Sequence, residues 1–325
     1  MKVAIIGLGT MGWMYASRLA RMDGIQLAGA YDRSAAKAEA FSSQYGTRVF
    51  DTFEQLMTEG NPDVVCITLP TFLHKEYVLK TARLGKHVIC EKPLAVRPED
   101  AAEMVQACEK QQVKLFVCHV ARFFPENQNL KKTIESGQIG KIGIAHAKRA
   151  GTNPSLASSW YSDETRSGGI IMDLMIHDID LMRWMIGDIR SVYTMSRRSS
   201  NVHVALVTLQ FHNDAVANIE AYWGYPGPFT TAVEIAGSGG VIFSDNQSTQ
   251  PYTIQRMNPS SDVAEAIQVP GDSSLHDPYF AELSHFLTCI RTGDEPIITT
   301  IDAVKAVEIA AAAILSGNTG LPVTI

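Results

Sequence analysis

The feature that most constrains the fold is the segment Gly7-Leu8-Gly9-Thr10-Met11-Gly12, which follows an apolar run at residues 3–6 and opens a helical pattern at residues 11–22. The first glycine of such a segment allows a tight turn and the second lets backbone amides approach a pyrophosphate. The third lets helix and strand pack closely. The pyrophosphate then sits on the positive end of the helix dipole. Asp32 ends the next strand-like run, twenty residues beyond Gly12, where an acid can accept hydrogen bonds from the adenosine ribose. The spacing predicts a dinucleotide site formed by Gly7, Gly9, Thr10, Met11, Gly12 and Asp32. The charge of Asp32 repels a 2′-phosphate and favours NAD. The neighbouring Arg33 can pair with that phosphate, which leaves NADP open.

Around this loop, apolar runs at residues 3–6, 26–31, 64–69, 87–90 and 115–119 alternate with helical patterns at 11–22, 35–45, 73–84 and 99–112. Strand and helix repeated with short links predict an α/β domain over residues 1–120, a Rossmann doubly wound parallel sheet covered on both faces. Beyond residue 120 the rhythm changes. Alternating runs at 192–197, 202–211, 215–223, 231–236, 240–244 and 252–255 predict a mostly antiparallel sheet in a second domain over residues 121–325, with His212-Asn213-Asp214 as a hairpin turn. Two closing helices, at 279–292 and 301–316, are free to pack back on the first domain.

The 325 residues suit two domains. A net charge of −6 with no Lys/Arg block leaves no footprint for a phosphate backbone, so nucleic acid is not the expected partner. A small molecule is. Five cysteines without a C-x-x-C pair read as buried thiols in a reducing compartment, hence the cytoplasm. The most apolar helical stretch, 306–315, is interrupted by Glu308 and falls well short of the roughly 20 residues that span a bilayer. No membrane association is expected.

Two further clusters carry chemistry. Cys90-Glu91-Lys92-Pro93 ends the run 87–90 at the carboxyl edge of the predicted sheet, where open α/β folds bind ligands. A lysine there can stabilise a developing alkoxide, although Glu91-Lys92 taken alone is more often a surface ion pair. In the stretch from Gly168 to Asp180, a helix predicted to open near Gly169 places Asp173 and His177 four residues apart on one face, with Asp180 along the same side. A carboxylate beside an imidazole makes a general base for an alcohol proton. The bland alternative is a histidine that caps a core hydrogen bond. Metal ligation by the same residues is not expected, because the spacing is not H-E-x-x-H and the segment holds no second histidine or cysteine.

Taken in order, the glycine loop, Gly85-Lys86-His87-Val88 leading to Glu91-Lys92-Pro93, Arg122-Phe123 followed by Gly137-Gln138-Ile139-Gly140, the segment Gly168-Gly169 to Asp180, and Gly187-Asp188 resemble the glucose-fructose oxidoreductase and inositol dehydrogenase family, Gfo/Idh/MocA. The resemblance implies an N-terminal Rossmann domain and a C-terminal α/β domain whose open, mostly antiparallel sheet serves as the interface of a homodimer or homotetramer. It implies that Lys92, Asp173 and His177 line the active site; the family's usual third glycine is Ile170 here. The expected activity is NAD(P)-dependent hydride transfer from a secondary alcohol of a cyclic polyol or sugar. Thr68, Pro70 and His74 are expected to border the cofactor and Glu91 to reach its nicotinamide ribose. Arg122 and Trp160 are expected at the substrate, with Asn153, Tyr161, His276 and Tyr279 as further candidates. Two other functions fit the same scaffold: an NAD-dependent glycosidase that returns its cofactor each cycle, and a non-catalytic dinucleotide-binding sensor.

Overall fold

The computed structural model describes residues 1–199, 201–248, 252–256, 265–268 and 277–325. The chain divides into two compact units: Met1–Val120 with Asp277–Val304, and Ala121–His276 with Lys305–Ile325.

The first unit is built on six strands: β1 (Lys2–Ile6), β2 (Gln26–Tyr31), β3 (Val49–Phe50), β4 (Val64–Ile67), β5 (His87–Glu91) and β6 (Leu115–Cys118). All pair in parallel in the order β3-β2-β1-β4-β5-β6. β4 and β6, Val-Val-Cys-Ile and Leu-Phe-Val-Cys, are buried at every residue, as strands covered on both faces must be. The covering helices are α1 (Thr10–Leu19), α2 (Ala35–Tyr45), the single turn α3 (Phe53–Gln55), α4 (His74–Arg83) and α5 (Pro98–Lys110). Their ends follow local chemistry. Ser34 accepts a hydrogen bond from the Lys37 amide to start α2, and α5 opens on Pro98 with Glu99 and Asp100 in its first turn.

A later piece of chain completes this unit. The helix Pro278–Thr292 is capped by Asp277, which accepts from the Phe280 amide and pairs with Arg18 of α1 at 2.9 Å. Phe286 from this helix stacks on Phe116 of β6, with ring centroids 4.9 Å apart.

The second unit opens with α6 (Pro125–Glu135), β7 (Ile142–Gly151), the short α7 (Glu164–Ser167) and α8 (Ile176–Ile186). The strands β8 (Ile189–Arg198), β9 (His203–Phe211), β10 (Val216–Trp223), β11 (Thr230–Gly237), β12 (Gly240–Asp245), β13 (Tyr252–Arg256), β14 (Glu265–Gln268) and β15 (Val323–Thr324) follow. Together with β7 they form a sheet in the order β14-β13-β12-β11-β7-β10-β9-β8-β15, antiparallel except where β7 meets β10. β10 alternates buried and half-buried residues along its whole length, the signature of a sheet with one covered and one open face. Between β9 and β10 the chain turns at Asp214 in the left-handed region (φ 69°), where the Asn213 side chain accepts from the Ala215 amide.

Two buried ion pairs fix α8. Asp178 takes Arg149 of β7 through bonds of 2.8 and 2.9 Å, and Asp180 takes Arg122 through bonds of 2.8 and 2.6 Å. Arg122 and Asp180 are 1% and 2% exposed. Losing one partner strands the other charge in the interior, at a cost of about 3–5 kcal/mol. Arg122→Ala is therefore expected to lower the unfolding free energy by about that amount in urea titrations; a wild-type midpoint would show that the pair contributes nothing net.

Candidate active site

In the first unit the carboxyl ends of β2, β1, β4 and β5 lie side by side, and the strand order reverses between β1 and β4. Open α/β sheets bind ligands outside such a reversal. Gly7 has a φ of 94°, and a methyl group on Gly12 would stand 2.1 Å from the Gly7 carbonyl oxygen. Both positions exclude any other residue without a shift of backbone. A Cβ on Gly9 would meet only open space. Gly9 caps α1, whose first turn contains no acid and takes no side-chain cap. Its amides are thus left for an anion. Thr10 is exposed and Met11 half-buried at this mouth. These features fit a dinucleotide pyrophosphate.

The Asp32 carboxylate accepts from the Leu8 amide at 2.7 Å and from the Ser34 amide at 2.8 Å. Each oxygen therefore keeps a lone pair for a ribose hydroxyl. Arg33 beside it is exposed, and Pro70 is half-buried.

Three residues expected at the cofactor are instead drawn inward. Thr68 donates its hydroxyl to the Ile6 and Gly7 carbonyls, at 3.1 and 2.7 Å, and so braces the glycine loop. His74 is only 1% exposed; its ring nitrogens face the Leu69 and Pro93 carbonyls at 2.8 and 2.9 Å. Glu91, also buried, accepts from the Tyr15 hydroxyl at 2.5 Å. In each case a polar group below the surface takes a protein partner because burial without one is costly. Lys92 is half-buried at the end of β5, and its peptide bond to Pro93 is cis.

In the second unit the stretch before α8 is not a plain α-helix. Residues Ile171–Met175 form a π turn, in which the backbone bonds skip one residue further than in an α-helix. The four-residue spacing of Asp173 and His177 therefore does not have its α-helical meaning. From Ile170 to Met182 only Asp173, Leu174 and His177 escape full burial. Asp180, expected along the same side, is buried against Arg122.

That pair also corrects the expectation for Arg122. Its guanidinium lies in the interior with the Asp180 carboxylate on it, where it anchors α8. Trp160 is half-buried in the turn Ser159–Ser162 and stacks on Tyr161 at 3.9 Å, with Tyr161 edge-on to Trp223. Buried Ser167 secures this loop, donating to the Tyr161 and Asp163 carbonyls and accepting from the Gly169 amide. Asn153 caps the turn Pro154–Leu156. Tyr279 lies on the helix Pro278–Thr292 of the first unit, and His276 falls outside the described residues. Among the described residues no group of three metal-ligating side chains occurs, and no helix is long and apolar enough to cross a membrane.

Sequence reasoning passed over Tyr15, Arg149, Ser167 and Asp178. Tyr15 carried a signal, since it stands three residues past the third glycine on the helix that the loop opens. The partners of the other three lie too far along the chain, or depend too much on loop shape, to be read from spacing.

The comparisons identify the family and the fold. Residues 1–119 match the model of an oxidoreductase family with an NAD-binding Rossmann fold, and residues 131–325 match the same family's C-terminal alpha/beta domain. The chain is similar to a scyllo-inositol 2-dehydrogenase (NAD(+)) of Bacillus subtilis, 30% identical over all of this chain and 96% of the relative. It is also similar to a myo-inositol 2-dehydrogenase of Thermotoga maritima, 28% identical over 94% of this chain and 93% of the relative. A levoglucosan dehydrogenase solved with NADH and L-sorbose has the same fold, with a TM-score of 0.91 at 21% identity over 100% of this chain and 98% of that one.

Burial lowers the proton affinity of His74, although the carbonyls of Leu69, Pro93 and Leu94 oppose it, and burial lowers that of His87, His203 and His285 as well. In the unfolded chain these rings take up protons near pH 6.5. Their contribution to stability is thus complete above that pH and is lost as the pH falls through their lower folded values. The thermal midpoint is expected to hold between pH 7.5 and about 6.5 and to decline as the pH falls from there to 5.5; a midpoint that stays flat below pH 6.5 would contradict the assignment.

Proposed function

The chain belongs to the Gfo/Idh/MocA oxidoreductase family, and from that membership we propose that it reversibly oxidises a secondary alcohol on a cyclic polyol or sugar with NAD. The observation that carries this reading is the stripe of Asp173 and His177, the acid and imidazole left open on an otherwise buried turn and helix. The inositol dehydrogenases among its relatives support a polyol as substrate.

NAD supplies the acceptor for the hydride that leaves the carbinol carbon. Gly7, Gly9, Thr10, Met11 and Gly12 hold the pyrophosphate, and Asp32 holds the adenosine ribose in place of a 2′-phosphate. Arg33, Pro70 and Lys92 border the nucleotide, with Thr68, His74 and Glu91 supporting these contacts from beneath. The imidazole of His177 accepts the hydroxyl proton, with the Asp173 carboxylate beside it to orient the ring. The Lys92 ammonium stabilises the alkoxide as it forms, and the oxygen lone pair then forms the carbonyl as the hydride leaves the carbon. Trp160 offers a ring face to the apolar face of the substrate ring. Five cysteines, all free and buried, suit the cytoplasm.

The open face of the second sheet presents Ile144, Tyr193, Met195 and Leu206, exposed apolar side chains around the Lys148–Glu220 ion pair. A second copy of the chain, in a homodimer or homotetramer, covers them in this reading. Light scattering is expected to give two or four times the 35.5 kDa chain mass, and the paired change Met195→Glu and Leu206→Glu to give monomers. A monomeric wild type would refute this part of the reading.

The reaction is tested by nicotinamide absorbance with NAD or NADP and a panel of inositols and aldoses. NAD reduction by a polyol is expected, with turnover lost by about 10²-fold or more in His177→Ala and Lys92→Ala while NAD binding persists. Wild-type turnover in either variant would remove that residue from the mechanism. No reduction by a protein that binds NAD would direct attention to the glycosidase or sensor function.

A further inference from the structure

We propose that Tyr15 and His74 are positioning residues for Lys92, acting through the residue before it and the residue after it. Lys92 carries its ammonium on a flexible stem, so the group can be placed only as well as the backbone beneath it. On one side the Tyr15 hydroxyl of α1 donates to Oε1 of Glu91 at 2.5 Å, and Oε2 of the same carboxylate accepts from the Lys92 amide at 3.2 Å. On the other side the buried His74 ring stands between the carbonyls of Leu69 and Pro93, donates its one N–H to one of them and packs its other nitrogen against the other, which sets the segment after β4 beside the turn after β5. Tyr15, Glu91 and His74 are all buried.

Each contact is expensive to lose. A buried carboxylate deprived of a donor carries its desolvation penalty, and any shift of Glu91 that relieves it carries the adjoining Lys92 along. Without the ring of His74, the Leu69 and Pro93 carbonyls would face each other or an empty space. Tyr15 also stands on the helix that Gly9 caps, so the same rod that presents amides to the nucleotide steadies the lysine turn. Neither side chain needs to touch substrate or cofactor for this. The proposal rests on the assignment of Lys92 to the reaction above.

The test uses the full chain with Tyr15→Phe, which deletes one oxygen and keeps the ring, and His74→Gln, which keeps a side-chain N–H donor and loses the ring. With NAD and myo- or scyllo-inositol, kcat is expected to fall about 10- to 100-fold, the scale on which a displacement of about 1 Å acts. The Kd for NAD and the KM for inositol should stay within about threefold, since the changes act on the chemical step and not on uniform binding. A second arm does not depend on turnover: acetylation of each lysine by sulfo-N-hydroxysuccinimidyl acetate, quantified by mass spectrometry. The rate at Lys92 is expected to change severalfold in both variants while that at exposed Lys37 does not. Unchanged Lys92 labelling would overturn the proposal. So would kcat within twofold of wild type, or a fall in kcat, NAD affinity and thermal midpoint together with a rise in KM, the pattern of a purely structural role. Should the wild type oxidise neither inositol, the polyol reading fails, and the labelling arm still decides whether Tyr15 and His74 hold Lys92.

Discussion

A methyl group at position 12 would be 2.1 Å from the carbonyl oxygen of Gly7, and that close approach of helix to strand is the constraint from which the first unit is organised. It sets the start of α1 hard against the end of β1. From there Asp32 reaches the Leu8 amide, Thr68 reaches the Gly7 carbonyl, and Tyr15, one turn along the helix, reaches Glu91. Strands β1, β2, β4 and β5 are thereby tied at their carboxyl ends by side chains as well as by the sheet. Such ties hold a binding edge in a single geometry, which is what orientation of a cofactor requires.

The second unit reaches a comparable rigidity by other means. There the acids at 178 and 180 are each consumed by an arginine, Arg149 from β7 and Arg122 from the segment before α6. Buried ion pairs of this kind contribute little net stability compared with apolar packing, yet they punish every alternative placement of the helix. The result is that α8 can sit in only one way, and the π turn ahead of it directs Asp173 and His177 out of the core. Of the four ionisable side chains between residues 173 and 180, Asp178 and Asp180 build the platform and Asp173 and His177 are half-buried.

Much of this was legible in advance, for identifiable reasons. The runs at 3–6, 64–69 and 115–119 are apolar on both faces and separated by helical patterns, and only a parallel covered sheet buries such runs. The glycine loop carried its own context, and the turn at His212-Asn213-Asp214 carried its own side-chain chemistry. What could not be read was whatever depends on a distant partner. Arg122 looked like a ligand contact because an arginine near a sheet edge usually is exposed; its partner lies 58 residues on. His74 and Thr68 were placed at the correct edge but assigned to the wrong layer, because spacing along the chain tells which end of a strand a residue occupies and not how deep its side chain lies. The π turn leaves no mark in hydrophobic periodicity over five residues.

The segment Asp277–Val304 belongs with the first unit although it is nearly the last part of the chain. Phe116 finds its stacking partner, and Arg18 its carboxylate, only in that segment. Proteins emerge from the ribosome amino end first, and domains commonly fold in that order. This nucleotide-binding unit departs from the rule: while most of the chain is being synthesised, its flank along α1 and β6 waits uncovered, and its core closes when the helix Pro278–Thr292 arrives. The amino-terminal half alone is consequently an incomplete module, unsuited to being moved intact into another protein.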